Sequence, residues 1–291
     1  TRKAKDGWNT YRLNMKIEDI VNLTEGTLTN TPKVQAIEAA TVYYSKVEHG
    51  DLFFSSNQEE IDQAIENGAY AIVYADESIV KKDDEIAWIK VSDLQLAAFK
   101  LIRYVNLKKE AKFYLLSKHE QTFLKMILVH KSNITFISSD WRKAFEQILN
   151  SECSLFVGTD KELMELIKPD VSKLKREVDG YPVSDTLFRT TFKVGGFVYQ
   201  EKELIPFHLE YLLRAIDFCE THELPYSVER IKYTKHFTPV FIDGKLKSTQ
   251  ASKSAKVAIF TDNLSDITKA REYVMRSNMW VKSVVMTPPK T

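Results

Sequence analysis

Between residues 49 and 106 the sequence alternates buried-strand patterns with amphipathic helical ones, and this alternation restricts the fold more than any other feature. AYAIVYAD at 69–76 has the length and composition of a buried strand. QEEIDQAIENG at 58–68 has helical spacing and stops at a glycine, which favours the left-handed backbone found after helices. DLQLAAFKLIRYVN at 93–106 predicts a second helix, capped by its first aspartate. Strands alternating with helices predict an α/β layer domain that ends near residue 107.

The next segment, AKFYLLSKHEQTFLKMILVH at 111–130, predicts a strand, a short connection and a helix. In many α/β proteins this connection is glycine-rich, and its backbone amides hold a phosphate group. Here the connection reads LSKHE at 116–120 and contains no glycine. The whole chain has 9 glycines in 291 residues, about 3% against a usual ~7%. Both observations lower the expectation of a site for nucleotide phosphates.

The region of alternating strands and helices described first resembles the N-terminal domain of the Mur ligases. It is most similar to the type that adds D-Ala-D-Ala to UDP-MurNAc-tripeptide. In that family a Gly-Asp-Leu-Phe segment precedes a helix, and a Gln-Ala-Ile … Gly-Ala segment leads to a strand closing on Val-x-Asp. The matching residues occur in the same order at 50–53, 63–65, 68–69, 91–93 and 96–97. The resemblance implies a Mur-ligase N-terminal-like domain at 15–107.

A fainter resemblance continues into the second half of the chain, where the family has its ATP-binding central domain. It involves residues 111–128, 154–171, 206–231 and 235–263. The resemblance implies a degenerate P-loop-type α/β domain at 108–291. The family's third domain, which binds the incoming amino acid or dipeptide, is expected to be missing.

The catalytic residues of that family are the part of the resemblance that fails. Its chemistry requires a backbone nest for a triphosphate, a lysine on the phosphate oxygens, a hydroxyl on magnesium and carboxylates for the metal. Alignment of the helix starts puts Glu120 and Gln121 where the family has that lysine and the following threonine. A carboxylate at this place would repel the γ-phosphate. Phe156 replaces the metal-binding glutamate, and Lys118 reaches the phosphate position only if the alignment is shifted. The sequence therefore predicts no catalytic residue, no metal site and no cofactor.

The UDP-sugar end of such a ligase is the remaining candidate for ligand binding. The family's Asp-Ser-Arg triplet aligns with residues 43–45, where two of its polar groups are lost. Ser45, Ser55, Asn57, Gln58 and Lys118 remain candidates for hydrogen bonds to a UDP-MurNAc-type ligand. Alternatively, Ser55, Asn57 and Gln58 are solvated loop residues that cap the following helix.

Histidine and cysteine spacing gives no further site. The six histidines, at 49, 119, 130, 208, 222 and 236, never pair at the spacing of metal ligands. His208, at a predicted helix start, is interpreted as a capping or packing residue. Cys153 and Cys219 lie far apart in apolar surroundings, which is typical of core thiols rather than of a disulfide or a metal pair.

Composition limits the partners. Lys and Arg number 41 against 40 Asp and Glu, so a formal net charge of +1 gives no reason to expect nucleic acid or an anionic membrane surface. No apolar run approaches the roughly 18 residues of a membrane span, and no signal peptide is visible, which makes the cytoplasm the expected location. Residues 1–14 are basic and polar; they are expected to be an extension added ahead of a natural start at Met15, and a natural basic arm is the alternative.

Resemblance and missing motifs together predict a two-domain α/β protein without ATPase function. Our hypothesis at this stage is a noncatalytic, cytoplasmic bacterial protein that binds a protein partner or acts as a scaffold in peptidoglycan precursor synthesis. One alternative is a UDP-sugar or nucleotide-binding ligase-like enzyme with a rebuilt site or a third domain supplied by another chain. Another is that the second half of the chain has a fold of its own.

Overall fold

The computed structural model describes residues 2–3, 9–131, 133–277 and 281–286. The chain divides into two compact units. Unit 1 comprises Thr1–Leu116 and Lys131–Lys173, and unit 2 comprises Ser117–His130 and Leu174–Thr291. Part of the expected N-terminal extension, residues 1 and 4–8, lies outside the described residues. The division into domains at 15–107 and 108–291 stays a prediction.

The first half of unit 1 contains a five-stranded sheet with helices beside it. Up to residue 116 the elements are β1 (Arg2–Lys3), β2 (Asn9–Thr10), β3 (Met15–Lys16), α1 (Ile17–Thr24), β4 (Thr27–Leu28), β5 (Ala36–Ile37), β6 (Ala40–Thr41), β7 (Leu52–Phe54), α2 (Gln58–Glu66), β8 (Ala71–Tyr74), β9 (Ala87–Lys90), α3 (Leu94–Lys109) and β10 (Lys112–Leu115). The sheet has the order β4-β9-β8-β7-β6. Strands β6 to β9 pair in parallel, and β4 is antiparallel to β9. The sequence prediction of strands alternating with helices in this region is confirmed.

A second, smaller parallel sheet completes unit 1. After α4 (Lys118–Ile127), which belongs to unit 2, the chain forms β11 (Thr135–Phe136), α5 (Trp141–Leu149), β12 (Leu155–Gly158), α6 (Lys161–Ile167) and β13 (Ser172–Lys173). These strands and β10 are arranged in the order β11-β12-β10-β13, and all pairs are parallel.

Both faces of the five-stranded sheet are buried, which explains the continuous apolar runs in its strands. In β7, Leu52 and Phe54 belong to the main core of unit 1, whereas Phe53 points to a second core that also contains Trp88. The main core extends to the smaller sheet, because the ring of Phe54 lies 5.6 Å from that of Phe145 on α5.

Local sequence signals set the ends of these elements. Asp93 caps α3, since its Oδ1 accepts a hydrogen bond of 2.9 Å from the amide of Leu96. Gly68 follows the end of α2 with φ of +98°, a conformation that L side chains rarely adopt. Both roles agree with the sequence prediction.

Unit 2 is built differently, from helices and antiparallel strands. After α4 its elements are β14 (Gly180–Asp185), β15 (Thr190–Val194), β16 (Phe197–Lys202), α7 (Leu209–Thr221), β17 (Phe237–Ile242), β18 (Lys256–Thr261) and α8 (Leu264–Ser277). β14, β15 and β16 form one antiparallel sheet, and β17 pairs with β18. Gly195 and Gly196 both have positive φ in the hairpin turn that joins β15 to β16.

Two further expectations concern the whole chain. Among the described residues, no helix combines the length and the apolar character that crossing a bilayer would require. Cys219 is buried in α7, as expected for a core thiol, whereas Cys153 is only half-buried.

Candidate functional site

The start of α4 is where a phosphate would bind if the strand–loop–helix segment were a nucleotide site. β10 ends at Leu115 and α4 begins at Lys118, so the connection is only two residues long. Ser117 is the N-cap: its Oγ accepts a hydrogen bond of 3.2 Å from the amide of Glu120. The carboxylate of Glu120 accepts in return from the amide of Ser117, at 2.7 Å. This reciprocal capping box satisfies two amides that would otherwise be free to hold an anion.

Glu120 is held in that position by a second contact within unit 2. Its side chain is buried, and its Oε1 accepts a hydrogen bond of 3.3 Å from Nη1 of Arg214 on α7. Arg214 also donates from Nε to Glu210 one turn earlier, at 3.2 Å. The carboxylate at the start of α4 is therefore already neutralised by a cation from the same unit.

These residues do not fit a magnesium-bound triphosphate. The capping amide of Glu120 is occupied by a hydroxyl oxygen, and a carboxylate lies where phosphate oxygens would have to approach. Lys118 is exposed at the first position of α4, which does not remove that carboxylate.

The sequence-predicted ligand residues near α2 serve the local structure of unit 1. Asn57 is the N-cap of α2 and accepts from the amide of Glu60 at 3.1 Å. Ser55 is buried rather than solvated as expected, because its hydroxyl donates to the carboxylate of Glu60 at 2.6 Å. Gln58 uses both ends of its amide on the backbone of Val80, at 2.8 and 3.2 Å. Of the three residues, Asn57 alone caps α2, and whether any of them binds a ligand stays a prediction.

The remaining two candidates lie elsewhere. Ser45 is exposed in a 3₁₀ turn, Tyr44–Lys46, next to the C-terminal end of α2, where Asn67 donates to the carbonyl of Tyr44 at 3.0 Å. The nine residues of α2, roughly 13 Å of helix, separate that end from the N-cap. Lys118 belongs to unit 2. The structure thus brings together only Ser55, Asn57 and Gln58.

A cluster that sequence analysis did not find lies buried in unit 2. Nε2 of His119 on α4 is 2.8 Å from Oδ2 of Asp266 on α8, and Nε2 of His208, just before α7, is 3.0 Å from the same oxygen. The side chains of His119, His208 and Asp266 are 6%, 2% and 0% exposed. Among the described residues, these form the one group of three potential ligands close enough to hold a metal ion. The sequence expectation of no metal site rested on spacing within single elements, and these residues come from three.

Aromatic rings enclose this cluster. The imidazole rings of His119 and His208 meet edge to face at 4.4 Å, and Tyr211 lies 4.8 Å from His119. His236 stacks on His119 at 5.2 Å, but its own nitrogens bond elsewhere: Nδ1 to Asp262 at 2.9 Å and Nε2 to the hydroxyl of Thr122 at 3.1 Å. His236 therefore borders the cluster without joining it.

Electrostatics favour a charged aspartate between the two imidazoles. Burial opposes ionisation of Asp266, but hydrogen bonds and charge from His119 and His208 outweigh it and hold its pKa well below the usual range. For His208, burial lowers the pKa and outweighs the opposite effect of Asp266. An ionised carboxylate only accepts hydrogen bonds, so both Nε2 atoms act as donors to Oδ2. His208 is thus a packing and hydrogen-bonding residue rather than a side-chain cap, for its side chain makes no cap bond.

Comparisons with known proteins bear on the fold. No family model matches this sequence, and no curated protein does. A crystal structure of MurF from Acinetobacter baumannii is similar, with a TM-score of 0.53 at 13% identity over 92% of this chain and 78% of that one. MurF from Thermotoga maritima in complex with ADP gives a TM-score of 0.45 at 13% identity, over 67% and 66%. At such identity the first likeness shows the fold alone: a mixed α/β arrangement with parallel sheets, similar to Mur ligases, which confirms the predicted fold class.

Proposed function

We propose that this protein is a noncatalytic, Mur-ligase-like binding or scaffold protein linked to peptidoglycan precursor synthesis, acting in the bacterial cytoplasm. Its fold, which is similar to that of a MurF ligase, supports the link to that group of proteins. The single observation that carries the noncatalytic part is the capping box at the start of α4.

The capping box supports this proposal because it puts structural interactions where a nucleotide-binding ligase needs open backbone amides. Ser117 and Glu120 satisfy each other, and Arg214 fixes the carboxylate. Opening this site to a triphosphate would break two hydrogen bonds and leave a buried carboxylate near the γ-phosphate, where like charges repel. A chain whose strand–loop–helix segment is stabilised in this way fits a role in binding rather than in ATP-driven ligation.

Calorimetric and thermal-shift titrations with Mg-ATP and with UDP-MurNAc, separately and together, test the proposal. A ligand at 100 times its dissociation constant stabilises a protein by ~2.7 kcal/mol, which either method detects. We expect no stabilisation by Mg-ATP at millimolar concentration. Stabilisation by Mg-ATP would overturn the noncatalytic reading.

UDP-MurNAc separates the scaffold from the alternative of a UDP-sugar-binding enzyme with a rebuilt site. Binding of UDP-MurNAc that is lost in Asn57→Ala and Gln58→Ala variants would favour that alternative, and so would binding lost in Ser45→Ala. In cells, depletion of the protein should change the pool of UDP-MurNAc peptides, measured by mass spectrometry. An unchanged pool would refute the link to precursor synthesis.

A further inference from the structure

We infer that His119, His208 and Asp266 form a binding site for one divalent transition-metal ion in unit 2. The three ligand atoms, two imidazole nitrogens and one carboxylate oxygen, all lie within 4.8 Å of one another. They come from α4, the residue before α7, and α8, so a single ion would connect three helices. This inference goes beyond the proposed function and does not depend on it.

The unused oxygen of Asp266 is the observation that points to a ligand. Oδ2 accepts from both histidines, but Oδ1 is buried and has no hydrogen-bond partner among the described residues. Buried carboxylate oxygens are nearly always satisfied, because an unpaired one loses its hydration without compensation. A cation at this position would satisfy Oδ1 as well as Oδ2.

The distances from Asp266 to the two imidazoles are close to those between ligands of one ion. Bond lengths of about 2.0–2.2 Å to nitrogen and oxygen place tetrahedral ligand atoms roughly 3.3 Å apart. The two measured separations from Oδ2 are 2.8 and 3.0 Å, so each imidazole nitrogen would move away from Oδ2 by a few tenths of an ångström, while the two nitrogens, which lie within 4.8 Å of each other, would have to approach to about the same separation. Each neutral imidazole then carries its proton on Nδ1 instead of Nε2, and the Nε2 lone pair binds the ion. An imidazole that is protonated beforehand releases one proton to solvent.

The donor set selects the class of metal. Two imidazole nitrogens and one carboxylate suit Zn²⁺, Fe²⁺ or Co²⁺, whereas Mg²⁺ and Ca²⁺ prefer oxygen ligands alone. With Oδ1 of Asp266 as a further donor, the carboxylate would bind the ion through both oxygens, and the coordination would depart from a regular tetrahedron because those two oxygens lie closer together than two separate ligands. The burial of all three side chains and the surrounding aromatic rings agree with a structural ion rather than a catalytic one.

The test uses the full chain, freed of metal by a chelator and titrated with Zn²⁺ and Co²⁺ by calorimetry and visible absorption. We expect one equivalent of either ion and a higher melting temperature. In ¹⁵N-labelled wild-type protein, the ring nitrogens of two of the six histidines should shift on addition of Zn²⁺. This measurement needs no variant, so it decides the question even where a substitution prevents folding.

Matched variants locate the ion. Asp266→Asn keeps an oxygen that accepts from both imidazoles but is a poor metal ligand, and His208→Gln removes one nitrogen. Outer-sphere partners of a metal contribute about 10–100-fold to affinity, so loss of a direct ligand should weaken binding by at least about 100-fold. His236→Gln is the control, because His236 stacks on His119 yet bonds to Asp262. The inference would be overturned if the wild type did not bind Zn²⁺. It would also be overturned if the Asp266→Asn and His208→Gln variants bound Zn²⁺ as tightly as the wild type does.

Discussion

Replacement of Glu120 by alanine should weaken unit 2 without creating a nucleotide site. The change removes the acceptor for the Ser117 amide at 2.7 Å and the ion pair with Arg214 at 3.3 Å. Loss of a helix-capping interaction destabilises by about 1 kcal/mol. Loss of a hydrogen bond to a charged group adds about 1.5–3 kcal/mol where the partner is buried. Arg214 is 38% exposed and keeps Glu210, so the lower end of that range applies and the sum is about 2.5 kcal/mol.

Two variants calibrate this result. Glu120→Gln keeps an oxygen that can accept from the Ser117 amide and loses only the charge, so about half of the destabilisation is expected. Lys118→Ala removes an exposed side chain from the same helical turn and should change stability by less than about 0.5 kcal/mol. Urea unfolding gives the free energies, and native-state hydrogen exchange of the α4 and α7 amides shows whether the loss falls in unit 2.

Two results for Glu120→Ala would contradict this prediction. If Glu120→Ala unfolds at the same urea concentration as the wild type, the capping box and the ion pair contribute nothing to stability. If Glu120→Ala also binds Mg-ATP, the carboxylate was blocking a functional phosphate site rather than supporting the helix.

Three other predictions follow from particular contacts. Burial opposes ionisation of Glu60, but hydrogen bonds from Arg142 and Ser55 and the charge of Arg142 together outweigh it and lower the pKa of Glu60. The stability that the pair with Arg142 contributes is therefore present above pH 4.5 and lost as pH falls through the folded value. Arg142→Met should therefore destabilise by about 1 kcal/mol at pH 7 and flatten the acid limb of urea midpoint against pH. Phe145→Ala, in the main core of unit 1, should cost about 3–5 kcal/mol by the same assay, and a loss under 1 kcal/mol would contradict its packing. Burial raises the pKa of the Cys219 thiol to about 12, so at pH 8 it should react with a disulfide reagent only after unfolding, and fast native labelling would disprove this.

The parts of the fold that local signals determine could be predicted from the sequence. Asp93 and Gly68 define helix ends through interactions within a few residues, so reading them needs no tertiary information. The capping box was also readable, because serine followed three residues later by glutamate before an apolar run is its usual pattern. Comparison with a glycine-rich loop showed that the segment containing Ser117 and Glu120 differs from a phosphate-binding loop. It did not identify the capping box that these two residues form at the start of α4.

The buried cluster could not be predicted in the same way. Asp266 lies 58 residues from His208 and 147 from His119, and no periodicity connects them. Each residue by itself looks like an ordinary histidine or aspartate near a helix end. Only the packing of three helices within unit 2 brings their polar atoms to one point, and that packing depends on the whole apolar pattern of the unit.

A second buried carboxylate in the same chain shows why the Asp266 arrangement is unusual. Glu146 on α5 is also buried, yet both of its oxygens are satisfied: Oε1 accepts from the Thr41 hydroxyl at 2.6 Å, and Oε2 from Lys46 and Asn150 at 3.2 Å each. Such a carboxylate ties one loop to one helix, and structural stability explains it completely. Asp266 is also buried but leaves one oxygen without a donor among the described residues. Because structural packing satisfies every atom of Glu146, the unsatisfied atom of Asp266 is the difference that a bound cation would explain.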